Sequence, residues 1–372
     1  MLLRPRREEP RTNGSSVRVG IIGAGSALWA YLQLLDRLTP RRLATTGPIC
    51  ARRHETWDRI RSRRPDAEIV ATPEEVVRSE VDVIAVLTSA ASHGELARLA
   101  LDRGKHVLIE KPLAGSVEEA TELAARARDR GLHLVAAPFI HLSPTFRLLW
   151  SEVAAGAIGE VHSGRGLYGV PSPDWNTWMV EVGPLADLGI YNLKSFTSLL
   201  GPIVEVMAVE TTARPSDSPK AVPDVIHVIA RHERGALSSV VASWEIQAYR
   251  RPGLELYGTE GTANLLGDDW DPGGYRIFRA AEGAWREVAS PDPTWLWTDG
   301  LRELVSAIHE GRPPLGSIDQ DIHLVEVLAA ARRSAAARAP VAVGSRFEPM
   351  DLGLELRPAH LHDHTRSPDE QR

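Results

Sequence analysis

The sequence predicts a two-part fold: a doubly wound α/β unit with a parallel sheet, followed by an α+β unit with a mostly antiparallel sheet. Three observations predict it. Strand and helix patterns alternate from Val17 to Ala137, a glycine pair joins the first strand to the first helix, and later strands follow one another through turns.

The chain has 372 residues, more than one hydrophobic core usually organises, and its 43% hydrophobic and 25% charged content is that of a globular protein. Two domains are therefore expected. The pattern divides the chain into a disordered tail (1–16), a doubly wound α/β unit (17–140), an α+β unit (141–345), and a mostly disordered second tail (346–372). His360, His362 and His364 alternate in the second tail, but no rigid scaffold or carboxylate stands beside them to make a metal site. Zinc-ligand spacing and a nucleophile elbow are both absent. Cys50 is the only cysteine, which excludes an intramolecular disulfide. With no leader and no long apolar run, a cytoplasmic protein without a membrane span is expected. The net charge of -6 comes from interleaved acids and bases, a pattern that argues against a nucleic-acid partner.

In the first unit the expected strands are Val17 to Ile22, Pro48 to Ala51, Glu68 to Ala71, Val81 to Leu87, His106 to Ile109 and Leu132 to Ala137. Helical stretches separate them, so neighbouring strands run parallel. The helix from Val117 to Arg130 opens with Ser116 and Glu119, a capping box. After Pro144 the pattern changes. A helix (Thr145 to Ala154), a strand (Val161 to Tyr168) and a second helix (Leu185 to Leu200) precede a strand-rich stretch from Val204 to Val288. Turns are expected at Glu233-Arg234-Gly235, Gly258 to Gly261 and Pro272-Gly273-Gly274. Helices over Leu301 to His309 and Gln320 to Ala336 and a strand at Val341 to Val343 close the unit.

Val17 to Ile22 runs directly into Gly23-Ala24-Gly25-Ser26-Ala27 and then a helical pattern. Gly23 permits a tight turn, Gly25 lets backbone approach a pyrophosphate, and Ser26 and Ala27 open the helix whose free N–H groups face it. Leu28 stands where a third small residue is usual, so the loop's context, more than its glycines, carries the dinucleotide reading. The second strand ends in Ala51-Arg52-Arg53, without the acid that would accept from an NAD ribose. Arg52 and Arg53 suit a 2′-phosphate instead, which points to NADP, with NAD possible; the competing reading is a solvated basic turn.

The segment from Gly104 to Ala114 contains Glu110-Lys111-Pro112 directly after the fifth strand. With Thr88 and His93 after the fourth strand, Asp187-Leu188-Gly189-Ile190-Tyr191, and Tyr257 to Thr262, it resembles the Gfo/Idh/MocA oxidoreductases, named after glucose-fructose oxidoreductase and inositol dehydrogenase. The resemblance covers roughly Val17 to Val343. It implies a Rossmann domain followed by a domain with a large open sheet, and hydride transfer at a secondary alcohol or ketone of a sugar-like, cyclitol or diol substrate. It also implies that Thr88, His93, Glu110 and Pro112 shape the cofactor side, and that Lys111 lies near nicotinamide and substrate oxygen. An ammonium there stabilises a developing alkoxide.

Asp187 and Tyr191 lie four residues apart on one helix and fall on one face, so they can converge with Lys111. The expected roles are proton transfer by Tyr191, with Lys111 nearby to favour the phenolate, and orientation by Asp187. The alternative is an Asp serving the helix dipole and a core Tyr. Trp175 and Trp178 are candidates to stack on a sugar ring, and His141 follows the sixth strand where the cleft is expected. His323 reads as structural. The glycine run before Asp187 is reduced to Gly183, and Lys194 stands where relatives often carry an acid. Two other functions stay open: a retained cofactor used transiently in elimination or epimerisation, and a catalytically inactive dinucleotide-binding sensor. A homodimer or homotetramer is expected, because an antiparallel sheet covered by helices on one face leaves another to bury.

Overall fold

The computed structural model describes residues 16–171, 179–213, 222–249, 253–268 and 270–353. Both predicted tails, including their histidines, lie outside these residues apart from Ser16 and 346–353. In chain order the first part comprises β1 (Val17–Ile22), α1 (Ala27–Leu38), β2 (Ala44–Cys50), α2 (His54–Arg63), β3 (Ile69–Val70) and α3 (Pro73–Arg78). It continues through β4 (Val83–Val86), α4 (His93–Asp102), β5 (His106–Ile109), α5 (Val117–Arg130) and β6 (Leu134–Ala136). The strands form one wholly parallel sheet in the order β3-β2-β1-β4-β5-β6. All four residues of β4 are buried, because helices cover both faces and apolar runs replace alternation. The strand β2 starts earlier than expected, because Thr45 and Thr46 already pair with Arg18 and Val19. The capping box of α5 is half formed: Ser116 accepts from the Glu119 N–H, while the Glu119 carboxylate accepts from Gly115 instead.

The second part begins with α6 (Pro144–Ala154), β7 (Val161–Gly169), α7 (Met179–Pro184) and α8 (Ile190–Leu200). Then come β8 (Ile203–Thr211), β9 (Val225–His232), β10 (Leu237–Ser243), β11 (Leu254–Gly258), β12 (Gly261–Asp268), β13 (Asp271–Arg279) and β14 (Ala284–Ala289). The helices α9 (Gly300–Glu310) and α10 (Ile318–Ala337) and strand β15 (Val341–Ala342) complete it. The sheet order is β14-β13-β12-β11-β7-β10-β9-β8-β15, antiparallel throughout except for the β7/β10 pair. One face packs beneath α6, α8 and α10 around Phe146, Phe196 and Leu328. The opposite face exposes Met207, Val209 and Ile229 at 44%, 65% and 56%. Met207 lies directly across from Ile229, so the apolar surface is continuous over two strands.

Two sequence expectations change here. Pro272-Gly273-Gly274 is not a turn but lies inside β13; the chain reverses between Asp268 and Asp271, and Pro272 faces Gly267 at a register shift, where a missing N–H is tolerated. The helix expected from Leu185 starts with a π-helical turn, Leu185–Gly189, before α8 proper. In addition, the last helices, read from sequence as part of the second unit, also bury residues in the first. Leu301, Leu304 and Val305 join the core around α1, and Ile322 and Val325 join the core around α5.

Candidate active site

The glycine turn lies where the strand order reverses, between β1 and β4, the point at which open parallel sheets bind ligands. Gly23 has φ +113°, and a β-carbon there would come within 2.6 Å of the Leu87 carbonyl, so the turn requires glycine. At Gly25 a β-carbon would meet nothing of the protein within 4 Å, so the bare backbone there faces open space. Beyond it α1 begins at Ser26 and Ala27, with no acid in its first turn and no cap from the Ser26 side chain. Open space, unclaimed N–H groups and a positive helix end fit a dinucleotide pyrophosphate. Leu28 is fully buried in the core and leaves that space clear.

Arg52 and Arg53 follow β2 and are both exposed. Later arginines of the same run brace α1: Arg59 donates to the Ala24 carbonyl at 3.1 Å, and Arg63 lies 4.2 Å from the Trp29 ring centre. Thr88 follows β4 and accepts from the Ser92 hydroxyl at 2.8 Å. His93 does not reach the cofactor crevice itself. It is fully buried, and its ring lies 2.7 Å from the Pro112 carbonyl and 3.1 Å from that of Thr88. Burial holds its pKa below the usual histidine range against the opposing pull of the two carbonyls, and the neutral ring has one N–H, which it donates to one of them.

Glu110, Lys111 and Pro112 leave the end of β5, with the Lys111–Pro112 peptide cis. The buried Glu110 carboxylate accepts from the Tyr31 hydroxyl at 2.7 Å and from the Lys111 backbone N–H at 3.3 Å. Lys111 Nζ donates to the Asp187 carboxylate at 2.6 Å and to the Asp187 carbonyl at 2.7 Å. The other carboxylate oxygen of Asp187 accepts from the Trp244 indole N–H at 3.0 Å. Tyr191, in the first turn of α8, places its ring 5.8 Å from Lys111 Nζ and meets Tyr168 edge-on at 5.9 Å. The structure thus brings Lys111, Asp187 and Tyr191 together. The ion pair joins the first sheet's unit to the second.

Burial, followed by the negative charge of Glu110 and the neighbouring Tyr168 and Asp187, holds the Tyr191 phenol well above its usual range. The expectation that Lys111 favours the phenolate is therefore corrected, because Asp187 balances the ammonium and nearby acids disfavour another negative charge. The Tyr31 phenol is raised in the same way, by burial first and Glu110 second.

His141 is also corrected. It is buried beside Leu315 and Gly316 and lines a separate cavity of about 230 Å³ with Phe139 and Asp321, not the Lys111 cleft. Trp175 and Trp178 lie outside the described residues. Lys194 turns from the cleft to α10, where it donates to the Asp321 carboxylate at 2.5 Å with both side chains buried. His323 is structural as expected, accepting from the Ile203 N–H at 3.0 Å. Sequence reasoning missed Tyr31, Tyr168 and Trp244. Tyr31 sits at helical spacing among Leu28, Leu32 and Leu35, and Trp244 ends an apolar strand, so both read as core. Among the described residues no group of His, Cys, Asp and Glu could hold a metal ion, and no helix is long and apolar enough to cross a membrane.

Comparison with known proteins agrees with the two-part fold. The family described as "Oxidoreductase family, NAD-binding Rossmann fold" matches residues 17–137, and the GFO/IDH/MocA C-terminal domain matches 146–264. The chain is 32% identical over 202 residues to dTDP-3,4-didehydro-2,6-dideoxy-alpha-D-glucose 3-reductase of Actinomadura kijaniata, covering 53% of this chain and 60% of that protein. It is 28% identical over 304 residues to trans-1,2-dihydrobenzene-1,2-diol dehydrogenase of Sus scrofa, covering 79% and 87%. A solved levoglucosan dehydrogenase in complex with NADH and levoglucosan shares the fold, with a TM-score of 0.79 at 22% identity, over 89% of this chain and all of that one.

Proposed function

Since this chain belongs to the Gfo/Idh/MocA family of NAD-binding oxidoreductases, we propose that it interconverts a secondary alcohol and a ketone on a sugar-like, cyclitol or diol substrate. The observation that carries the proposal is the ion pair of Lys111 and Asp187 beside Tyr191, at the end of β5 and near the open glycine turn. A nicotinamide bound here would supply or accept the hydride. Gly23, Gly25, Ser26 and Ala27 would hold the pyrophosphate, and Thr88, Glu110 and Pro112 would form the wall beside the ring. Lys111 stabilises the negative charge that grows on the substrate oxygen and is the proton source in the reductive direction, while Tyr191 donates a hydrogen bond to the same oxygen. Asp187 fixes the ammonium of Lys111 in place. The diol and sugar activities named for the relatives support this substrate class.

NADP is the proposed cofactor, because Arg52 and Arg53 are exposed after β2 with no acid between them and the strand. The exposed apolar face over β8 and β9 supports a homodimer or homotetramer. The one cysteine is buried, which suits a reducing cytoplasm. The test is a turnover screen with NADP and NAD against aldoses, cyclitols and vicinal diols, and with NADPH and NADH against keto-sugars. Reduction of the oxidised cofactor or oxidation of the reduced one by at least one of these classes is the expected result; inertness toward all four, with cofactor bound, would overturn the proposal.

A further inference from the structure

The π-helical turn Leu185–Gly189 seats directly on β10. A β-carbon at Gly189 would lie 2.8 Å from a Leu185 methyl and 3.1 Å from the Ala242 β-carbon, so a side chain there would have to push both aside, and glycine lets the turn sit close to β10. The close approach brings Asp187 beside the end of β10, where Trp244 stands fully buried and anchored by its backbone N–H to the Asp224 carbonyl at 2.9 Å. The two carboxylate oxygens of Asp187 are then divided: Oδ1 accepts from Lys111 and Oδ2 from the Trp244 indole.

We propose that Trp244 is a positioning residue for the reaction, its indole N–H holding the Asp187 carboxylate in the one orientation that docks the Lys111 ammonium at the reacting oxygen. The inference rests on the roles proposed above for Lys111 and Asp187. An indole suits this task because it is a donor only: it can neither accept from Lys111 nor exchange a proton with Asp187, so the carboxylate stays an acceptor on both sides. Its rigid ring, packed on all sides, fixes the direction of that donor as a hydroxyl rotor would not. A carboxylate released from this bond could rotate about its last torsion, which has broad minima, and carry the ammonium with it.

Trp244→Phe keeps an aromatic ring in the buried site, leaves a small cavity where the second ring was, and deletes the donor. With a substrate found by the screen, kcat should fall about tenfold to a hundredfold, the loss for a hydrogen bond to a charged group, while KM for that substrate stays within about twofold. In an Asp187→Asn background the same change should alter kcat by less than about threefold, because the partner it serves is already gone. Equal losses in both backgrounds, or an unchanged kcat in the parent background, would overturn the proposal. A readout without turnover separates this idea from the proposed reaction. Lys111 should react with acetic anhydride about three- to tenfold faster in Trp244→Phe than in the parent, by peptide mass spectrometry with Lys105 as internal reference. An unchanged Lys111 rate in the folded variant overturns the positioning role even if no substrate has been found. Should Trp244→Phe not fold, benzothienylalanine at position 244 keeps the bicyclic shape, lacks the N–H, and is held to the same outcomes.

Discussion

Replacing Lys194 with Met removes one half of an ion pair whose side chains are 0% and 8% exposed, so the remaining Asp321 charge has neither water nor a counter-ion. Stranding a buried charge in this way costs about 3 to 5 kcal/mol of unfolding free energy, measurable by urea denaturation at pH 7. The pH dependence has a definite sign. Burial pushes the Asp321 carboxyl up from 3.8 to about 6 against the opposing pull of Lys194. A folded-state value above the unfolded one gives stability that is full below about pH 4 and lost as pH rises through about 6. Without Lys194 the folded value rises further. The deficit of Lys194→Met against the parent should therefore be largest at pH 7 and shrink toward pH 4, where Asp321 is neutral in both. Lys194→Met combined with Asp321→Leu should recover most of the loss, since an apolar pair has no desolvated charge. A single variant losing less than about 1 kcal/mol at pH 7, or a double variant losing the sum of both singles, would refute this reasoning.

Lys111→Ala should lower turnover by about a hundredfold or more while leaving cofactor affinity, measured by calorimetry, nearly unchanged. The Tyr191 phenol is held well above its usual value of 10.0, so the parent's kcat profile should show no limb from Tyr191 below about pH 10, and Tyr191→Phe should leave its shape intact while lowering its height. A limb near pH 8 that disappears in Tyr191→Phe would contradict the burial argument. Arg52→Ala should weaken NADP binding about tenfold to a hundredfold and spare NAD, and equal affinity of the parent for both cofactors would remove the NADP assignment. Ile229→Lys, on the exposed face of β9, should shift the mass measured by light scattering to that of a monomer; a parent that is monomeric over a wide concentration range excludes the oligomer.

The parallel sheet was legible because its physics is local. Six apolar runs separated by helical periods leave a parallel sheet as the natural arrangement, and the turn at Gly23 has a steric requirement visible in the residue itself. Convergence of Lys111 with Asp187 and Tyr191 was also legible, through a motif after β5 and a four-residue spacing on a helix. Partners brought in from distant strands were not. Nothing local to Trp244 marks it as a donor to a residue 57 positions earlier, and Tyr31 has the spacing of a core aromatic on α1. The π turn escaped because its sequence has an ordinary helical period, while the strand it lies against, β10, comes about 50 residues later. His141 misled for a related reason: its place after β6 is correct for the cleft, but its burial is set by the much later Leu315 and Gly316. Pro272-Gly273-Gly274 has turn chemistry, yet a register shift absorbed it into a strand.

Lys111 and Asp187 come from separate stretches of the chain, one within residues 17–137 and the other within 146–264. A recombinant that joins the first stretch of one relative to the second of another therefore inherits its charge pair from two parents. Such a hybrid can retain its hydrophobic cores and still lose this ion pair, if the incoming half carries an acid at a slightly different height on its turn. Residues 111, 187 and 244 are thus joined in one hydrogen-bonded chain, although the sequence spells them 133 residues apart from first to last.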